Sequence, residues 1–224
     1  MGYRFGSQRS DATKTKFYEK FGGVDVVGSS DSGSSWIVSS FKCSGWIFCV
    51  NVGGTDYWAT IGAGGNSTAL TDVNGNTIST VSLKVEPTLQ YEGTDADAPA
   101  YLTLKETVTN NSGKEVKLGA IIDTLVDKYA NNGSETSDAA TITPMNYGID
   151  MSNAGYKFSV LLENAVGVDN ADYIWYGAYG SEDTYMWGGG DSEKKSSGTD
   201  SAVSFSWKLG TGTSYTRSFR MSLK

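Results

Sequence analysis

The sequence predicts an all-β protein: one large antiparallel β-sandwich of two packed sheets, with roughly a dozen strands and no substantial helix. Three observations predict it. From Ser34 onward, short apolar or alternating runs recur, each bounded by Gly, Ser, Thr, Asn or Asp. No long segment keeps the apolar period of about 3.6 residues that a helix needs. No repeat of fixed length occurs, which argues against a propeller or a solenoid. At 224 residues the chain can bury one such core without a second domain. The expected organisation is an N-terminal arm over residues 1–23 and a single sandwich over residues 24–224.

The arm comes first. It carries Arg4, Arg9, Lys14, Lys16 and Lys20 against Asp11 and Glu19, so it is locally basic on a chain whose net charge is −7. It shows neither alternation nor a helical stripe. It reads as a surface-lying N-terminal segment or, functionally, as an arm that lies on an acidic neighbouring subunit.

The strands follow in order. Trp36–Phe41 and Trp46–Val50 flank a Lys-Cys-Ser-Gly reversal and read as a hairpin, and Tyr57–Gly62 follows a Gly-Gly-Thr-Asp turn. Residues 62–77 read as loop, with a tight turn at Asn74-Gly75. Thr77–Val85 alternates and places Val81, Leu83 and Val85 on one face; Pro87 then ends the strand or marks an edge. Tyr101–Asn110 puts Leu102, Leu104 and Val108 on one face, with Glu106 as the exception in that row. A polar turn leads to Val116–Val126, which reads as its returning partner. Tyr156–Glu163, Asp172–Tyr179, Ala202–Leu209 and Ser214–Leu223 complete the set. The last two read as a hairpin with Val203, Phe205 and Trp207 on one face.

Composition excludes several functions. The chain has no His, which removes Ser-His-Asp and Cys-His catalysis, His-ligated metals and the usual neutral-pH base. The net negative charge opposes binding to nucleic acid or anionic membranes. The opening MGYRFGSQRS carries no apolar leader, and no later run approaches the length of a membrane span. Sequons at Asn66, Asn110 and Asn132 match chance expectation in so Ser/Thr/Asn-rich a chain. On one continuous strand, Cys43 and Cys49 would stand about 20 Å apart, beyond the reach of a disulfide. Bridging them therefore requires a reversal near Ser44-Gly45, and two buried free thiols are the simpler reading.

Two constellations invite chemistry. Asp123 and Asp127 share strand parity at the end of an apolar run, the minimum for a His-independent, glycan-active enzyme with paired carboxylates. In the following loop Asp127, Asn131, Asn132, Glu135 and Asp138 offer five oxygen-bearing side chains within twelve residues, a donor set suited to calcium. The bland alternative is a solvated acidic loop.

The stretch YIWYGAYGSEDTYMWGGG, residues 173–190, is the densest feature, with six aromatic side chains interleaved with glycine. Alternation gives one face with Tyr173, Trp175, Gly177 and Tyr179 and another with Ile174, Tyr176 and Ala178. Tyr185 and Trp187 fall between acidic residues and three glycines, a setting for loop aromatics that meet a partner. Trp175, Tyr179, Tyr185 and Trp187 are therefore the candidate contact residues, for another subunit or for a sugar ring. The same residues could instead pack over the end of the sandwich.

The C-terminal run GTDSAVSFSWKLGTGTSYTRSFRMSL, with LGAIIDTLVDKYANN and DYIWYGAYG, resembles the closing strands of β-sandwich domains in large bacterial and protist surface proteins. The shared features are Asp200-Ser201 before an alternating strand, Trp207 at its end, and a polar turn into the strand from Ser214. A more distant similarity is to the supersandwich of sugar mutarotases, whose His-dependent activity does not carry over to a chain without His. The resemblance implies an extracellular or cell-surface structural role. The function expected is thus non-enzymatic: a self-assembling homo-oligomer or surface layer acting through contacts, without membrane insertion. A carbohydrate-binding module is the alternative and a glycan-active enzyme the third reading.

Overall fold

A computed structural model describes residues 24–26, 45–61, 66–91, 100–126, 140–153, 156–178, 180–188, 190–192 and 201–223. In chain order the strands are β1 (Val24–Val26), β2 (Gly45–Val52), β3 (Thr55–Ile61), β4 (Ser67–Thr71), β5 (Val81–Tyr91), β6 (Ala100–Asn110) and β7 (Val116–Val126). They continue with β8 (Thr141–Met145), β9 (Gly148–Asn153), β10 (Tyr156–Leu161), β11 (Tyr173–Ala178), β12 (Ser201–Gly210) and β13 (Ser214–Leu223). One short helix, α1 (Glu182–Tyr185), lies between β11 and β12.

These strands form two antiparallel sheets. The seven-stranded sheet runs β11-β12-β7-β2-β3-β4, with β1 paired to the far end of β7; the six-stranded sheet runs β5-β6-β13-β10-β9-β8. The all-β sandwich expected from the sequence is what forms. Alternation selects the inner faces: Phe48, Val50, Leu118, Ile122, Val203 and Phe205 from one sheet meet Leu83, Leu104, Phe158, Val160, Phe219 and Met221 from the other in one continuous core. At its centre Phe205 meets Phe219 edge-on at 4.7 Å and Trp207 at 5.4 Å. The buried indole Nε1 of Trp207 donates to the carbonyl of Asp169 at 3.1 Å, so its polar atom is satisfied.

Two strand pairs expected as hairpins are instead crossings between sheets. β6 pairs with β5 and β13, whereas β7 pairs with β2 and β12. Likewise β12 and β13 belong to opposite sheets. Apolar alternation shows which face a strand buries but not which neighbour it pairs with. Both crossings lie at one end of the sandwich and are tied by Asn110. Its Nδ2 donates to the carbonyls of Lys114 (3.0 Å) and Gly212 (3.2 Å), and its Oδ1 accepts from the Ser112 amide and hydroxyl. Its own amide donates to the Thr213 carbonyl.

β4, β8 and β9 were not expected. β4 lies inside the stretch read as loop, where Leu70 is its single buried residue. It lines the seven-stranded sheet and touches the other through an Asn66–Lys84 bridge and the Leu83 amide, which donates to Ser67 Oγ at 3.0 Å. β8 and β9 form a hairpin whose inward residues Ile142, Ile149 and Met151 are too few to announce it. The expected Asn74-Gly75 turn is present, held by the Asp72 carboxylate, which accepts from the Asn74 and Asn76 amides and from Asn76 Nδ2. The strand expected over Thr77–Val85 forms as β5, Val81–Tyr91, and runs on through Pro87; as an edge strand it tolerates that residue. The arm over residues 1–23 and the strand expected at Trp36–Phe41 lie outside the described residues, as does Cys43. Cys49 is buried and unbridged.

Candidate functional site

The aromatic stretch lies over the outer face of the seven-stranded sheet. β11 presents Tyr173 and Trp175 outward while Ile174 and Tyr176 turn toward the core, following strand parity. The chain then turns at Gly180, makes the single turn α1, and crosses back over β12, β7 and β2. Sequence had left both outcomes open, a contact loop or a packed cover. The geometry is that of a cover whose rim remains partly open.

Met186 is the anchor. It is buried against Ile47, Cys49 and Ile121, with Trp58 and Trp187 at the margin, so the sheet carries a second, smaller apolar cluster on its outer side. Gly119 of β7 makes the approach possible: a Cβ there would lie 2.5 Å from Met186 Sδ and 2.9 Å from Trp187 Cη2. The Ser206 hydroxyl donates to the Met186 carbonyl at 2.6 Å, and Trp187 Nε1 donates to Asp56 Oδ2 at 3.0 Å. Asp56 Oδ1 accepts from Asn51 Nδ2 at 2.5 Å, which ties the cover to the β2–β3 hairpin.

Trp175 is not an exposed contact residue. It is 4% exposed, stacks on Tyr185 at 5.5 Å, and donates from Nε1 to the Asp191 carbonyl at 3.3 Å. It acts as a pillar under the cover. Tyr185 and Trp187 are half-buried. The glycines that sequence assigned to loop freedom have another use. Gly188 lies against the ring of Tyr173 and Gly190 against that of Tyr185, where a Cβ would collide. Tyr179 lies outside the described residues. So do all five candidate calcium ligands, Asp127, Asn131, Asn132, Glu135 and Asp138, and with Asp127 one member of the Asp123–Asp127 pair.

Two ionisable groups of this region are buried, the Glu182 carboxyl and the Cys49 thiol, the latter as the sequence suggested. Glu182, one of the acidic residues of the aromatic stretch, is 6% exposed. Burial pushes its carboxyl up, while the amides of Glu182, Gly180 and Ser181 oppose this; the Gly180 amide is bonded to Oε2 at 2.5 Å. Cys49 has its thiol pushed up by burial, with the charge of Asp56 adding to the effect against a backbone bond from Tyr57. Such a thiol is a packing group, not a nucleophile.

Sequence reasoning missed Trp58, Tyr173 and Asp56 as members of this surface. Parity on β3 was the available signal, since Tyr57 and Ala59 pack inward and so place Asp56 and Trp58 outward. Half-buried Trp58, Tyr173, Tyr185 and Trp187 have Asp56, Asp172, Asp183 and Asp191 within a few residues in the chain. Asp56 and Asp172 already accept bonds from Trp187, Asn51 and the Lys208 amide, and the Lys208 ammonium sits over the Tyr173 ring at 4.9 Å. Aromatic rims among carboxylates can receive cations and guanidinium groups, by charge and by their π faces.

A separate polar cluster lies on the outer face of the six-stranded sheet. Asp150 accepts from Tyr147 Oη at 2.7 Å, Ser159 Oγ at 2.6 Å and Lys157 Nζ at 2.9 Å. Burial alone would raise its pKa, but those three donors together hold it below the ordinary Asp value. The Tyr147 hydroxyl is pushed up to about 12, first by burial and then by the neighbouring carboxylate. The three bonds to Asp150 all run within the cluster, which suits bracing of β9 against β10.

Compared with known proteins, the chain matches no family model and no curated protein sequence.

Proposed function

We propose that this protein is a non-enzymatic contact protein that assembles with copies of itself, in which the basic N-terminal arm of one copy meets the acidic, aromatic outer face of the next. The observation that carries this reading is a set of four half-buried aromatic residues on a braced sheet face, with four aspartates within a few residues of them in the chain. The arm brings Arg4, Arg9, Lys14, Lys16 and Lys20 on a chain of net charge −7, so the charges are complementary. Guanidinium and ammonium groups over Trp and Tyr faces contribute about 0.5–2 kcal/mol each. The cover is pinned at several points, so little ordering entropy opposes docking. The similarity to surface-protein sandwiches favours an extracellular or cell-surface setting for such an assembly.

Sedimentation velocity of the full chain, of a chain lacking residues 1–20, and of Asp183→Lys with Asp191→Lys tests it. Assembly is expected in the first alone, weakening as salt is raised. A full chain that stays monomeric at all accessible concentrations overturns the reading, as does assembly that both changes leave untouched.

The partly open Tyr185 and Trp187 rings keep carbohydrate binding as a second reading. Glycan-array binding that is lost on Trp58→Ala, by a protein that sediments as a monomer, would favour it over self-assembly.

A further inference from the structure

Among the inward residues of β6, Glu106 stands between Leu104 and Val108 where an apolar side chain belongs. It is fully buried, and among the described residues neither carboxyl oxygen has a hydrogen-bond partner. Directly across the ladder it faces Val85 on β5 and Arg217 on β13. Residues paired in this way share a face, with Cβ atoms about 4.5–5.5 Å apart. Yet the Arg217 guanidinium turns away to the rim, where Nη1 donates to the Thr216 carbonyl at 2.8 Å. A carboxylate and a guanidinium in register but unpaired is the arrangement expected when the carboxyl carries a proton and no charge. An ionised, unpartnered carboxylate is strongly disfavoured in this position.

We propose that Glu106 and Arg217 form a proton-controlled latch inside the six-stranded sheet. With its proton, Glu106 rests uncharged in the apolar core and Arg217 stays on the Thr216 carbonyl. When the proton leaves to solvent, the carboxylate draws the guanidinium inward across the ladder and the sandwich loses stability. The device is a consequence of the fold and does not depend on the assembly proposed above.

The described surroundings supply no competing charge. Among the described residues, the inward side chains of β5 are aliphatic, β13 adds only Tyr215 beside Arg217 as a titratable group, and the opposing sheet contributes Tyr57 and Tyr176. Lys84, Glu86 and Lys105 stand on the outer face, where they pair with one another. Burial alone pushes the Glu106 carboxyl well up. The sign follows: a raised carboxyl binds a proton in the folded chain that the unfolded chain has already lost. Stability therefore falls as pH rises above the ordinary Glu range, and levels off once the folded group ionises.

Urea unfolding across pH, for the wild type, Glu106→Gln and Arg217→Gln, tests the latch. In the wild type the folding constant is expected to fall about tenfold per pH unit over that window, relative to Glu106→Gln. Arg217→Gln, lacking the counter-ion, should carry the fall to higher pH before it levels. Should Glu106→Gln not fold, infrared spectroscopy of the carboxyl-labelled wild type provides the second readout: a protonated carboxyl persisting well above the ordinary Glu range supports the latch. Parallel pH profiles for wild type and Glu106→Gln, an Arg217→Gln profile identical to wild type, or fully ionised carboxyls just above the ordinary Glu range would each overturn it.

Discussion

The indole Nε1 of Trp187 donates to Asp56 Oδ2 at 3.0 Å, joining positions 131 residues apart. The bond fastens the tip of the aromatic cover to the β2–β3 hairpin, and Asp56 passes the constraint on to Asn51. The aromatic stretch is thereby structural at its base and available only at its rim. Its contact residues cannot be altered wholesale without disturbing what holds them.

The first prediction follows from that double duty. Tyr185→Ser with Trp187→Ser removes the ring stacked on Trp175 and the bond to Asp56, and opens the Met186 cluster to water. A loss of about 3–5 kcal/mol is expected, at the level of a large buried aromatic truncation. Trp187→Phe, which keeps an aromatic side chain but deletes the donor and shrinks the indole to a benzene ring, should lose less, about 1–2 kcal/mol. Urea denaturation of both variants measures these values. A double variant as stable as wild type would mean that the segment contributes contact alone.

A second prediction concerns Gly119. Its missing side chain is the space into which Met186 and Trp187 descend. Gly119→Ala should lift the cover while leaving the main core intact, because β7 keeps its inward residues Leu118 and Ala120 and its pairing with β2 and β12. Hydrogen exchange is the measurement: amides of 181–188 should lose protection while those of β6 and β13 keep theirs. Uniform loss of protection would show that cover and sandwich unfold as one unit.

Asn110 carries the third prediction. It brackets both crossings between sheets through four hydrogen bonds of its side chain. Asn110→Ala leaves the Lys114 and Gly212 carbonyls without this donor at a part-buried corner. Each loss costs about 1–3 kcal/mol where water cannot substitute. A fall in denaturation midpoint with unchanged slope is expected. Asn110→Asp should not restore stability, since it replaces the two-donor amide with acceptors.

What could be read in the sequence was the face of each strand, and what could not was its neighbour. Val81, Leu83 and Val85, or Val203, Phe205 and Trp207, announce burial through parity alone. The partner of β6 depends on which sheet the chain enters after Asn111, and a polar turn fits a hairpin or a crossing equally well. β4, β8 and β9 were unreadable because register against neighbours, not their few apolar residues, makes them strands. In the aromatic stretch, residue type pointed to the right region. Whether those rings were open or covered depended on a glycine more than fifty residues away in sequence, Gly119. The one clear local warning was Glu106, an acid in an apolar row.

The last prediction concerns the acid side of the stability profile. Asp150 is held below its ordinary value by Ser159, Tyr147 and Lys157, which outweigh the effect of burial. A depressed folded pKa contributes stability that is present above the unfolded value of 3.8 and is lost as pH falls through the folded one. Asp150→Asn should therefore lower stability at neutral pH yet flatten the loss below pH 4, measured as melting temperature between pH 2 and 7. The same cluster predicts an alkaline step of opposite sense. Tyr147, raised to about 12, stabilises fully below its ordinary value of 10.0, and that contribution disappears as pH climbs through the folded value. Tyr147→Phe should delete the alkaline step and leave most of the acid one, because Ser159 and Lys157 still hold the carboxylate. An acid limb unchanged by Asp150→Asn would mean that other carboxylates govern it and that this cluster does not brace β9 against β10.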